Sequence, residues 1–200
     1  MKKIMIFLSI LGFVCACYAV LATQAAAEEI YTVDGSHSNL GFKVKHLGIS
    51  YVTGKFGKFD GKITLEGDQL TSVEGTVDVA SIDTAETKRD EHLKSDDFFS
   101  ADKFPQISFK STKVTQEGSK LGVVGELTIR DVTKTVVLQG EWGGKAFVSA
   151  WNVHKAGLVL EGQINRKDFG LSFSQLLETG QAIVGDDIWI TIELEANQSI

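Results

Sequence analysis

The sequence predicts an all-β fold: an antiparallel, up-and-down, eight-stranded barrel, with a short helix at about residues 84–97 over one end. Three observations predict it. Apolar residues fall on alternate positions through most of the chain, the period of strands that are apolar on one face only. Such strands are antiparallel with the opposite face in water, because parallel sheets are covered on both sides. Helical segments are missing between most of the strands, which leaves a sandwich or a barrel, and a meander of about eight strands closes naturally into the barrel.

Each strand follows from its own alternation. Leu40, Phe42 and Val44 stand between Asn39, Gly41, Lys43 and Lys45. Ile63 and Leu65 follow among Lys62, Thr64 and Glu66, and then Val73, Val77 and Val79 opposite Glu74, Thr76 and Asp78. Ile107 and Phe109 form the fourth run, Leu127 and Ile129 the fifth, and Val136 and Leu138 the sixth. Leu158, Leu160 and Ile164 make the seventh, and Ile188, Ile190, Ile192 and Leu194 the last. Gly, Asp, Asn and Ser turn signals bound them.

The run "DTAETKRDEHLKSDDFF", residues 83–99, interrupts this pattern with the densest set of ionisable groups in the chain. Asp83 and Glu86 have capping-box spacing, and Ala85, Arg89 and Leu93 recur at i, i+4 and i+8, so the run reads as a short amphipathic helix. Asp90 and Lys94 are spaced for a surface ion pair. Phe98, Phe99 and Phe104 precede Pro105 and would pin the helix by aromatic burial. A weaker insertion, helix or loop, runs from Ser172 to Thr179.

Before the strands, Lys2 and Lys3 lead an apolar run from Ile4 to Leu21, and Ala25, Ala26 and Ala27 supply small residues. That is the pattern of a secretory signal cleaved after Ala27, leaving residues 28–200 as one domain large enough for a substantial core. The expected route is therefore secretion out of the cytoplasm. Val14-Cys15-Ala16-Cys17 loosely resembles a lipid-attachment box, the alternative in which an anchor at Cys17 replaces that cleavage. Cleavage removes both cysteines, which excludes a disulfide, a thiolate nucleophile and a cysteine-ligated metal in the mature chain. It also removes two lysines, taking the formal net charge from −6 to −8 and disfavouring nucleic acid and anionic membranes as partners.

The candidate chemical groups are few. His92 and Asp96 lie four apart on the helix but have no further ligands, so a surface role outweighs a metal. Arg89 falls on the apolar stripe, where a charge requires a carboxylate partner or a ligand headgroup. His37 and His46 flank one strand, about 30 Å apart if extended, and read as turn or rim residues. His154 reads as a loop residue. "INRKDFGLSF" ends a strand with Arg166, Lys167 and Asp168, a rim turn with a local ion pair or a basic contact at the barrel mouth. Nucleophile elbows, zinc-protease helices and phosphate loops are missing as local motifs.

If the strands close, their apolar faces point inward, and eight strands leave a lumen filled by side chains or holding one ligand. Gly75, Gly125 and Gly162 fall on that face and would leave room. A long hydrocarbon chain gains about 0.8 kcal/mol per methylene buried.

"VDGSHSNLGFKVKHLGISYVTGKFGKFDGKI", "ASIDTAETKRDEHLKSDDFFSADKFPQISFKS", "GELTIRDVTKTVVLQG", "GQINRKDFGL" and "VGDDIWITIELEA", in this order over about residues 30–196, resemble the YceI-like, polyisoprenoid-binding family of bacterial secreted proteins. Asp131 stands where that family usually has glycine, and the loop around Trp151 lacks its proline-tryptophan-glycine turn. The resemblance implies a lipocalin-like periplasmic barrel, often dimeric, holding an isoprenoid lipid or quinone for transport, storage or stress response, with no catalytic role and no other cofactor. The expected apolar lining is Phe42, Val44, Ile63, Leu65, Val77, Val79, Leu93, Phe99, Ile107, Phe109, Leu127, Ile129, Val136, Leu138, Leu158, Leu160, Ile164 and Phe169. The expected headgroup or mouth contacts are Arg89, Arg166 and His37. Two rival readings are an enzyme acting on a bound lipid through His37, His92 or Asp168, and an outer-membrane barrel with its apolar face toward lipid.

Overall fold

A computed structural model describes residues 27–199; the expected signal segment, apart from its last residue, lies outside the described residues. Eleven strands are present among them: β1 (Glu28–Val33), β2 (Asn39–His46), β3 (Ser50–Phe56), β4 (Phe59–Glu66), β5 (Gln69–Asp78), β6 (Ile82–Asp83), β7 (Gln106–Glu117), β8 (Lys120–Ile129), β9 (Val132–Val148), β10 (Val153–Asn165) and β11 (Val184–Gln198). One α-helix, α1 (Thr87–Lys94), stands between β6 and β7, and short 3₁₀ turns follow β5 and β10. His154 thus belongs to a strand rather than a loop, and its ring stacks on Phe147.

The ring closes through eight antiparallel strands in the order β1-β4-β5-β7-β8-β9-β10-β11, with β11 returning to β1. The eight strands expected from alternation correspond to β2, β4, β5 and β7 to β11, so β1 replaces β2 as the member that completes the ring. Its signal is hidden because both phases carry apolar residues: Tyr31 faces inward at 1% exposure while Ile30 faces outward at 42%. β11 serves two partners along one edge, β2 through Val184 to Glu193 and β1 through Ala196 to Gln198. One side of the barrel is therefore split. β1 closes its far half, and β2 with β3 takes over in the near half, where the additional strand widens the wall because barrel diameter grows with strand number.

The narrow far end is packed solid. Ile63, Leu65, Val123 and Leu160 are each 0% exposed, and Tyr31, Leu70, Leu121, Leu158 and Ala196 join them. Burial and a 2.9 Å bond from its hydroxyl to Glu29 push the Tyr31 phenol up to about 12. Toward this end side chains replace part of the β5–β7 ladder: Gln116 Oε1 accepts from the Leu70 amide and Ser111 Oγ from that of Val73. The outer face is charged, as where Glu74 on β5 pairs with Lys62 on β4 and Lys110 on β7. This is the inverse of an outer-membrane barrel, whose apolar face points outward.

The helix is shorter than expected. Ala85 adopts a φ of 61°, which breaks helical geometry, so the cap is Glu86 rather than Asp83. The Glu86 carboxylate accepts from the Lys88 and Arg89 amides, while Asp83 accepts from that of Ala85. The expected Asp90–Lys94 pair is replaced. Asp90 accepts from the Thr84 amide and hydroxyl, and Asp96 pairs with Lys103 at 2.8 Å. Residues 172–183 form a loop tied by a single bridge between Leu176 and Ala182.

Candidate functional site

The near half encloses a cavity of about 220 Å³. Every wall strand contributes alternate residues: Leu40, Phe42 and Val44 from β2, Val77 from β5, Ile107 and Phe109 from β7, Leu127 and Ile129 from β8, Val136 and Leu138 from β9, Ile164 from β10. Leu93 of α1, with Phe98 and Phe99 beyond it, and Leu171 and Val184 at the ends of the 172–183 loop, border it at the mouth. The walls are hydrocarbon, so the space favours an apolar occupant and offers little directional recognition.

Of the expected lining, Phe42, Val44, Val77, Leu93, Phe99, Ile107, Phe109, Leu127, Ile129, Val136, Leu138 and Ile164 stand on this wall. Ile63, Leu65, Leu158 and Leu160 do not. They lie in the packed far end at 0 to 2% exposure, because alternation distinguishes inside from outside but not depth along the barrel. Val79 and Phe169 are likewise inside packed protein, at 1% and 2%, in the cluster around Ile107 and Ile129. The wall also includes Val33, Phe56, Phe59, Val73, Ile188, Ile190, Ile192 and Leu194. Val73 and the last four carried the alternation signal; Phe56 and Phe59 sit in "GKFGKF", whose glycines and lysines mask a strand.

Two of the glycines expected to leave room are already covered. A Cβ at Gly125 would meet the Phe109 ring at 2.4 Å, and one at Gly162 would meet Leu138 Cδ2 at 2.5 Å. Gly75 borders the cavity.

The expected polar contacts fall differently. Arg166 adjoins the cavity but is 3% exposed, and its guanidinium is turned into protein: Nη1 donates to Leu171 O at 2.5 Å, Nε to Gly185 O at 2.9 Å and Nη2 to Asp186 at 3.0 Å. The rim ion pair runs across the mouth to Asp186, which also takes Lys167, rather than locally to Asp168. Among the described residues Arg89 finds no carboxylate. Its Nε donates to the Thr84 hydroxyl and its Nη2 to the Thr84 carbonyl, each at 2.7 Å. His92 meets Asp97 at 2.8 Å, not Asp96.

His37 is away from the mouth, on the outer surface between β1 and β2. The phase of β11 that puts Ile192 and Leu194 on the wall turns Glu195 outward, and His37 lies 3.8 Å from Glu195 and 2.9 Å from Asp34. These three groups have the spacing of a metal site. Lys155 already supplies a cation there, 2.6 Å from Glu195 and 3.4 Å from Asp34. Bonds from the Ser36 hydroxyl and His37 hold the Asp34 carboxyl well below the ordinary range, and the bond to Glu195 raises the Lys155 ammonium. The cluster is an ion-pair network joining the β1–β2 turn to β10 and β11.

This architecture recurs in known proteins. Residues 31–196 match the YceI-like domain. A UPF0312 protein of Photorhabdus laumondii is 35% identical over 189 residues, covering 92% of this chain and 95% of the relative. The crystal structure of the Campylobacter jejuni YceI protein superposes with a TM-score of 0.68 at 36% identity, over 78% of this chain and 90% of that one. A polyisoprenoid-binding domain from Saccharophagus degradans shares the fold at 14% identity, with a TM-score of 0.60 over 84% of this chain and 98% of the domain. With the domain match spanning most of its length, the chain belongs to the YceI-like family.

Proposed function

We propose that this protein binds the hydrocarbon chain of an isoprenoid lipid, a polyprenyl lipid or a quinone, in the near half of its barrel, holding it without chemical change. The observation that carries this reading is the hydrocarbon wall of the cavity: strand after strand presents Val, Leu, Ile or Phe to it. Even Arg166 beside it spends its donors on protein carbonyls and Asp186. Each methylene moved from water into that space contributes about 0.8 kcal/mol, so a long apolar tail binds without a charged anchor. The polyisoprenoid-binding domain of Saccharophagus degradans, built on the same fold, supports this ligand class. The wall residues named above make the contacts, with Arg166 flanking the mouth through its aliphatic stem.

The setting we propose is the periplasm, reached through the signal at residues 1–27, where an oily molecule between two membranes requires shelter for transport, storage or stress response. A homodimer is part of the same proposal. Mass spectrometry of an organic extract from protein purified without detergent tests it. The expected result is an intact prenyl chain at close to one per barrel; an extract without prenyl lipid, or with a turned-over product, overturns it in favour of an empty scaffold or an enzyme.

A further inference from the structure

We infer that Phe109 and Leu138 act as a length gauge for the bound chain, setting how much hydrocarbon the barrel shelters. The inference rests on the carrier reading. Val73, Phe109, Leu138, Ile192 and Leu194 border the cavity and also belong to, or pack against, the solid far cluster. They are its floor. A floor in an apolar tube discriminates by length, because hydrocarbon that cannot pass it stays at the mouth in water.

Phe109 and Leu138 differ from the rest of the floor in how they are held. Each leans over an inward position where the neighbouring strand has no side chain. The Phe109 ring covers Gly125 on β8, where a Cβ would lie 2.4 Å from Cζ and 2.6 Å from Cε2, and Leu138 covers Gly162 on β10 at 2.5 Å from Cδ2. A side chain on Gly162 would push Leu138 up into the lumen, whereas one on Gly125 would meet the Lys110 carbonyl oxygen at 2.6 Å as well as the Phe109 ring. Conversely, truncating Phe109 joins the recess above Gly125 to the cavity. Along β8 that recess lies one inward position beyond Leu127, the neighbouring wall residue, which adds about 7 Å of strand. Below it Val123, at 0% exposure, belongs to the packed end, so the gain is limited to that one step.

The test is competitive loading. Wild type and variants are incubated with a ladder of linear polyprenols of increasing length, freed of unbound lipid, extracted and read by mass spectrometry, with circular dichroism melts to establish that each is folded. Phe109→Ala and Leu138→Ala are expected to move the bound distribution to longer chains by at least one isoprene unit. Gly162→Ala is expected to move it to shorter chains, since the one contact that closes on its new methyl below 3 Å is the flexible end of Leu138. Adding Leu138→Ala to Gly162→Ala is expected to return it toward wild type. If Phe109→Ala fails to fold, the Gly162 pair decides the matter. An unshifted distribution on folded variants that retain polyprenol overturns the gauge alone; a wild type that retains none overturns the carrier reading and the gauge with it.

Discussion

Arg166 illustrates how a charge can be written into a hydrocarbon wall. A guanidinium carries donors in a rigid fork, and here the fork is used on the Leu171 and Gly185 carbonyls and the Asp186 carboxylate. Those bonds join the end of β10, the turn after it and the start of β11, so one side chain ties together three chain segments at the mouth. Arg166→Met keeps an apolar stem of similar length but leaves the two carbonyls without donors. Each carries a desolvation cost of roughly 1–3 kcal/mol, while Asp186, 37% exposed, is taken up by water. We expect a loss of about 2–6 kcal/mol, read as a lower urea midpoint at unchanged slope. An unchanged midpoint would show that the fork contributes nothing to the fold. The sequence marked Arg166 as a rim residue, and it is one; its partner Asp186 is twenty positions away, beyond any local spacing rule. Arg89 makes the converse point. Its helical phase was legible, yet its partner is Thr84, which becomes available only because Ala85 turns through a positive φ.

The element that covers the mouth is marginal on its own. α1 spans eight residues with none fully buried, below the length at which an isolated helix persists in water. Its order comes from its ends. Glu86 caps the first turn, and Thr84, 6% exposed, accepts from Arg89 and donates to Asp90. In its last turn His92 meets Phe98 and Phe173 edge-on, and these two rings lie tilted against each other, with centroids 4.8 to 5.2 Å apart, which couples the helix to the 172–183 loop. Thr84→Val keeps the shape and removes the hydroxyl from both bonds. Hydrogen exchange is expected to accelerate several-fold over residues 87–99 while the far-end strands keep their protection. Acceleration throughout the barrel would instead show that Thr84 supports the whole fold. At this scale the sequence located the helix, because capping and i, i+4 spacing are local, but it overran both ends, because the interruptions at Ala85 and after Lys94 depend on contacts with other elements.

At the scale of the molecule, the decisive feature is the split side of the barrel, with β1 below and β2 and β3 above. The far half buries its apolar faces against one another; the near half, with a wider wall, cannot, and a cavity remains. The same asymmetry predicts a gradient of stability. In protein stripped of bound lipid, amides of the near halves of β7, β8 and β11 are expected to exchange faster than those around Ile63, Val123 and Leu160. Loading a polyprenol is expected to protect the near half preferentially, since a ligand stabilises the state that binds it. Uniform protection over the whole ring would count against a cavity confined to one end.

By itself the sequence determined the strand class, the confinement of apolar residues to one face of each strand, the acidic exterior and the place of the helix, because each of these is set by residues within a few positions of one another. Only the tertiary structure decided which of two equivalent strands closes the ring, where along the barrel packing ends and open space begins, and that Phe109 and Leu138 fill the gaps above distant glycines. Alternation has a period of two and carries no measure of depth. Depth depends on register and on how many strands share the wall at each level, and these emerge only when residues far apart in the chain are brought side by side.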